Sequence, residues 1–354
     1  MEKTKILEKA FKVFLIFVPL SLFAEHIHAP PIAIFILASL AIIPLAKYIG
    51  ESTEEISART GPALGGLLNA TFGNATELII SIFALQAGLT EMVKASITGS
   101  IIGNLLLILG MAFFFGGLGK DQQEFNSTAA KTSASTLFLA TAAIVMPAVF
   151  VLTSKNPSAT TIETLSIAVS VIMAVSYLAS LLFSLHTHKH LYTADTTECN
   201  PKWSVKKSVA VLLASTVTVA VMSEILVGSI EPLAESLGWT ELFIGMIFIA
   251  IIGNAAEHIS AITIAIKNRM DLALQIAIGS TTQIAMFVVP VLVFMSYFFE
   301  TPMNLIFTTF ELAAIVSAVL MVKSIIEDGK SNWFEGLQLL GTYGIMAVVS
   351  FLHP

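Results

Sequence analysis

The sequence predicts an all-α polytopic membrane protein with eleven transmembrane helices, one orphan N-terminal helix followed by two inverted five-helix repeats. Three observations carry this. Of 354 residues, 56% are hydrophobic and only 12% charged, with a mean hydropathy of +0.86. Soluble domains average about 25% charged residues, so this chain could not clothe a water-facing surface. The apolar residues also come in long runs, such as 32–46, 105–115, 167–185 and 284–299, parted by short polar patches. Runs of this kind read as membrane-spanning helices, and the lack of period-two alternation excludes a β-barrel. Finally, unusual polar residues recur at one constant offset of 180 positions.

The spans are expected at 6–27, 31–48, 63–86, 92–115, 132–153, 160–185, 206–229, 240–265, 271–298, 304–325 and 332–352. In the first, Lys3, Lys5, Lys9 and Lys12 precede an apolar stretch, as in a signal peptide. No small-x-small cleavage site follows, and Pro30-Pro31 open the next helix almost at once, so the first helix is expected to stay uncleaved. Polar breaks at 51–61, 120–131, 154–158 and 186–201 separate later spans. The count can be checked by charge. With the N-terminus in the cytoplasm and the C-terminus outside, only Lys94 and Lys155 among 18 Lys and Arg residues fall outside. A miscount by one helix would scramble that partition. The expected organisation is an orphan helix at 1–29, a first repeat at 30–186, a cytoplasmic connection at 187–205 and a second repeat at 206–354.

The repeat is visible in its polar members. At the offset, Glu51 falls on Glu231, Glu55 on Glu235, and Gly65 on Gly245; Gly73-Asn74-Ala75 falls on Gly253-Asn254-Ala255, Glu77 on Glu257, and Gly99-Ser100 on Gly279-Ser280. The offset spans five helices, an odd number, so the halves insert upside down relative to one another. Folds of that plan place substrate at the bilayer midplane, where the repeats meet. A lone carboxylate in hydrocarbon is costly. Glu77 and Glu257 are therefore expected to face each other near the centre with a cation between them.

Asn74, Glu77 and Ser81 share a helical face, as do Asn254 and Glu257. The following helices add Ser100 and Asn104 from one half, Ser280 and Gln283 from the other. Two carboxylates with neutral oxygens suit a hard cation such as Ca²⁺, with Glu77 and Glu257 as the metal ligands. The single cysteine, Cys199, offers no soft-metal site. An empty pair of ionised glutamates carries two negative charges in a low dielectric and resists crossing the membrane. One Ca²⁺ or two protons would neutralise it, which makes proton-for-calcium exchange the expected chemistry. His258 breaks the symmetry, since Leu78 is its counterpart; it could relay protons, tune Glu257 or bond a neighbouring carbonyl.

GNATELIIS at 73–81 and GNAAEHISA at 253–261, followed at one interval by GSIIGN and GSTTQ, resemble the paired signatures of the calcium/cation antiporter superfamily. His258 and the GLLNATFGN lead-in are similar to its Ca²⁺/H⁺ exchanger branch, the cation/proton exchangers. The resemblance covers the chain from about residue 30. It implies that Glu77 and Glu257 carry Ca²⁺ and protons in turn by alternating access, with Asn74, Asn254, Ser100, Ser280 and Gln283 lining the site and His258 assisting the proton route. It also matches Glu51, Glu55, Glu231 and Glu235 to acidic positions near each entrance, where they would draw cations in or be simple solvated charges. Eukaryotic relatives often carry a long acidic central loop. Here HTHKHLYTADTTECN takes that place, which suggests a prokaryotic exchanger in the inner membrane without that calcium-collecting segment.

The expected partners are thus Ca²⁺, H⁺ and the lipid bilayer, with no nucleic acid, no cofactor beyond Ca²⁺ as cargo, and a homo-oligomer left open. Three rivals remain: a Na⁺/Ca²⁺ exchanger of the same fold, a divalent cation channel, and a membrane enzyme. For the last, no nucleophile elbow, HExxH or phosphate loop is present. His186, His188 and His190 alternate in a polar loop and read as solvated. The glycosylation-like Asn69, Asn74 and Asn126 fall in the membrane or the cytoplasm and read as meaningless.

Overall fold

The structure is a computed structural model describing residues 11–60, 62–188 and 201–353. The start of the first expected span, His190, Cys199 and most of the connecting loop lie outside the described residues. The chain is almost entirely helical. Helix α1 (Phe17–His26) precedes α2 (Pro31–Thr60), α3 (Pro62–Phe72), α4 (Ala75–Gln86), α5 (Thr90–Gly117), α6 (Ser127–Thr153) and α7 (Ala159–Thr187). The second half holds α8 (Val205–Leu237), α9 (Glu241–Ile266), α10 (Met270–Ser296), α11 (Thr309–Ile325) and α12 (Trp333–Leu352). Among the described residues, nine helices are long and apolar enough to cross a membrane, and α4 is a shorter apolar helix.

Local chemistry explains most boundaries. Pro31 begins α2, where its missing N–H costs nothing. Side-chain caps start six later helices: Asn126 for α6, Ser158 for α7, Ser204 for α8, Thr240 for α9, Thr308 for α11 and Asn332 for α12. Thr308–Glu311 and Asn332–Glu335 form full capping boxes, so orphan N–H groups are satisfied at the membrane edge.

Two departures from the expected spans matter. The expected helix 63–86 breaks at Gly73-Asn74, where the chain turns between α3 and α4. Asn74 therefore sits at the N-cap position of α4 rather than on its face, with its side chain turned to α10 instead of capping the helix. The expected span from residue 304 starts five residues late. Residues 297–308 run mostly without helix, yet Met303, Leu305 and Phe307 are buried. Their backbone is held by side chains, with Ser166 Oγ accepting from Leu305 N at 3.0 Å and Ser296 Oγ from Met303 N at 2.7 Å. Irregular backbone at this depth is tolerated where protein supplies the partners.

The repeats pack as two interlocked sets. Helices α2 and α8 lie along one another, as do α5 and α9, and α9 and α10. Helices α5 and α10 form the centre: 83% and 67% of their apolar windows are buried, against 33% in α6 and 22% in α7. Both central helices widen into a π-helical stretch, at Gly103–Ile108 and Ile284–Val288. These coincide at the 180-residue offset, so the repeat extends to backbone irregularities, which frequently mark functional positions. Away from the centre, a short antiparallel pairing of Gln123–Glu124 with Lys330–Ser331 ties a loop of the first repeat to one of the second.

Candidate cation site

The polar residues of the two signatures converge where α4, α5, α9 and α10 meet. Ser100 Oγ donates to Glu77 Oε1 at 2.8 Å, and Asn254 Nδ2 reaches the same oxygen from the other repeat. Asn254 Nδ2 also lies 3.0 Å from Ser100 Oγ and 2.9 Å from the Ala250 carbonyl. Across the interface, Ser280 and Glu257 hold the equivalent positions on α10 and α9, but Ser280 bonds to asparagines of the first repeat. Asn104 Nδ2 donates to Ser280 Oγ at 3.1 Å, and lies 3.4 Å from Asn254 Oδ1. Asn74 Nδ2 donates to Gln283 Oε1 at 2.6 Å, and its Oδ1 is 3.4 Å from Ser280 Oγ. Asn74, Glu77, Ser100, Asn104, Asn254, Ser280 and Gln283 are thus brought into one network, and Glu257 lies three residues along α9 from Asn254.

The network is not symmetric. Asn254 crosses the interface to Glu77, while its counterpart Asn74 gives its amide to Gln283. Glu77 is buried and takes both of its bonds on Oε1, whereas Glu257 Oε2 is a buried oxygen without a partner. His258 is buried beside it, and its Nε2 is likewise unpartnered. Gly253 earns its place here. A Cβ on it would lie 2.5 Å from Glu77 Cγ, so only hydrogen lets Glu77 lie across α9.

The same asymmetry extends along the helices. At the end of the bundle away from the basic loops, α5 and α9 touch backbone to backbone. A Cβ on Gly99 would fall on the Met246 carbonyl oxygen, and one on Gly245 would lie 2.7 Å from the Met92 carbonyl. The mirrored contact, at the basic end, would pair Gly279 of α10 with α3. There a Cβ on Gly279 meets nothing within 4 Å among the described residues, and α3 packs instead on α2.

The four remaining acidic candidates lie outside this network. Glu51 pairs with Lys47 within α2. Glu55 accepts the N–H groups of Lys202 at 2.9 Å and Trp203 at 3.0 Å, with Arg59 at 3.2 Å, and so anchors the chain entering α8. Glu231 and Glu235 are exposed at the opposite end. His186 is exposed, and His188 stacks on Phe183 with ring centroids 4.1 Å apart. Among the described residues no three of His, Cys, Asp and Glu converge.

One buried polar cluster was not expected from sequence. Lys94, counted as a loop charge, is 3% exposed. Its ammonium donates to Glu91 Oε1 at 2.9 Å, the Ile306 carbonyl at 3.0 Å and Asn304 Oδ1 at 3.2 Å. Nearby, Glu311 is 1% exposed and lies 3.4 Å from Thr98 Oγ1. The one available signal was the position of Lys94, only two residues inside an expected span.

Paired signature helices meeting at a buried polar network, within a bundle of long apolar helices, define a membrane transporter. The chain belongs to the sodium/calcium exchanger protein family, which it matches over residues 30–186 and 207–352. It is 51% identical to the Ca(2+)/H(+) antiporter ChaA of Bacillus subtilis over 341 residues, 95% of this chain and 96% of that one. The solved structure of native YfkE superposes with a TM-score of 0.86 at 48% identity, covering 97% and 99% of the two chains. That of the H+/Ca2+ exchanger CAX matches at 0.73 over 98% and 92%; at 15% identity it speaks to fold alone.

Proposed function

We propose that this chain exchanges cytosolic Ca²⁺ for protons, with Glu77 and Glu257 holding either ion in turn as access alternates between the two faces. The observation that carries this is the cross-repeat network, in which Glu77 is bonded by Ser100 of its own repeat and by Asn254 of the other, beside an unpartnered Glu257 oxygen. Two ionised carboxylates there carry a charge of −2. A divalent cation or two protons would neutralise it, and an empty pair could not cross the low-dielectric barrier cheaply. Side-chain oxygens of Asn74, Asn254, Ser100, Ser280 and Gln283 would add to the carboxylates, in keeping with the 6–8 oxygens Ca²⁺ prefers. The name of the ChaA relative points to the same ion pair.

Glu257 Oε2, buried and unpartnered, is the oxygen best placed to take an incoming ion or proton in this conformation. His258 lies alongside and would pass protons towards it. The tight α5–α9 contact at one end, without a matching contact at Gly279 among the described residues, supports an occlusion that swaps ends during the cycle. By the distribution of Lys and Arg, the Gly279 end faces the cytoplasm.

The test is Ca²⁺ uptake into proteoliposomes under an imposed pH gradient, with voltage clamped and sodium absent. Wild type should take up Ca²⁺ with counterflow of protons, while Glu77→Gln and Glu257→Gln should each reduce uptake to background. Uptake driven by sodium alone would instead assign the chain to sodium exchange. Full transport in either glutamine variant would remove the carboxylates from the mechanism.

A further inference from the structure

The basic end of the bundle carries a groove that the ion pathway does not use. It lies between the start of α6 and the end of α11, one helix from each repeat, and encloses about 350 Å³. Ala134 and Ile326 form a buried apolar floor, with Ser135 and the exposed ring of Phe138 along one wall. Two lysines face it, Lys131 from α6 and Lys323 from α11, and one carboxylate, Glu327, lies on its rim.

The charges of this groove are poorly matched from within. The ion pairs among the described residues are Lys47–Glu51, Arg59–Glu55 and Lys94–Glu91, so neither groove lysine has a carboxylate at salt-bridge distance. Lys323 Nζ instead lies 4.6 Å from the centroid of the Phe138 ring, a cation–π contact that holds the ammonium at the mouth. Two lysines and one glutamate leave a net charge of +1, which one phosphodiester balances.

Depth supports the same reading. Lys131 is in the second turn of α6, and Phe138 lies seven residues further in, about 10 Å along the helix. A charged rim over an apolar, aromatic wall matches the step from phosphate to acyl chain at a membrane interface. Beside the groove, the pairing of Gln123–Glu124 with Lys330–Ser331 joins the loops that flank the same two helices.

We propose that this groove binds an anionic phospholipid of the basic-side leaflet, with its phosphodiester between Lys131 and Lys323 and an acyl chain along Phe138. The lipid would bridge the two repeats on the rim of the bundle, clear of the Glu77–Glu257 network.

The experiment uses the full chain in detergent, incubated with equal phosphatidylglycerol and phosphatidylcholine and read by native mass spectrometry and thermal unfolding. Wild type should retain phosphatidylglycerol preferentially and gain thermal stability from it. With about fivefold in affinity per lysine near a headgroup, Lys131→Gln with Lys323→Gln should lose retention on the order of thirtyfold. Lys131→Arg with Lys323→Arg keeps the charge and should retain the lipid, as should Lys155→Gln at the opposite end. Phe138→Ala should weaken retention while leaving the preference for an anionic headgroup. Equal retention in the glutamine pair, or no preference over phosphatidylcholine, would overturn the proposal. So would a full thermal shift from inorganic phosphate or glycerol phosphate, since a free anion would then suffice. If the glutamine pair does not fold, loss of retention in Lys131→Gln alone, with the arginine pair intact, supports the site, and unchanged retention refutes it.

Discussion

Two glycines at equivalent positions, Gly99 and Gly279, should respond to alanine in opposite ways. In the structure, a Cβ on Gly99 would fall on the Met246 carbonyl oxygen and within 2.6 Å of Met246 Cα, so α5 and α9 must part to admit it. A Cβ on Gly279 meets nothing within 4 Å among the described residues. If the transporter swaps its closed end, the mirrored conformation presses α10 onto α3 at Gly279 and relieves Gly99. Overpacking of this kind costs about 1–3 kcal/mol. At about 1.4 kcal/mol per tenfold, Gly99→Ala should shift the balance away from the observed conformation by roughly 5- to 150-fold. Gly279→Ala should shift it towards that conformation by a similar factor. Asn69→Cys in a Cys199→Ser background reports on this, because Asn69 is exposed on α3. An impermeant maleimide applied from the basic side should label it more slowly in Gly99→Ala than in the parent. In Gly279→Ala, labelling should be fast and indifferent to Ca²⁺ and pH, while transport falls in both variants. Labelling that moves the same way in both would refute the end-swapping argument.

Other substitutions separate structural from functional roles. Ser100→Ala removes a 2.8 Å bond to the Glu77 carboxylate; bonds to charged groups contribute about 1.5 kcal/mol or more, so the KM for Ca²⁺ uptake should rise on the order of tenfold. Lys94→Met strips three polar partners of their donor, among them Asn304 and the Ile306 carbonyl. The resulting loss of about 2–4 kcal/mol should lower the thermal unfolding midpoint in detergent, while the KM for Ca²⁺ stays near the parent value. Glu55→Gln distinguishes an anchor from a cation lure. As an anchor of the Lys202–Trp203 backbone it should slow turnover at all salt concentrations, whereas a lure would show a raised KM that vanishes at high salt.

Much of the site was legible because a membrane is an unforgiving solvent. Glu77, Asn74, Glu257 and Asn254 stand out in apolar surroundings, and the 180-residue offset pairs them without any structure. Ser100, Asn104, Ser280 and Gln283 followed from helical spacing and indeed join the network. Lys94 did not follow, because its burial depends on residues 297–308 folding over it from more than 200 positions away. Glu55 looked like an entrance charge, since nothing local shows that two backbone N–H groups of the connecting loop would claim it.

The sequence by itself determined the helical class, the 180-residue repeat, and which polar side chains stand out within apolar helices. Those follow from local hydropathy and from residue identity at matching positions. Only the tertiary structure decided which half is bent. Gly73-Asn74 and Gly253-Asn254 are the same dipeptide, yet the first interrupts its helix and the second runs straight through α9. Local propensity is equal at the two places, so the difference arises from what packs against them: Glu77 and the α5 backbone brace α9, while α3 leaves α10 for α2.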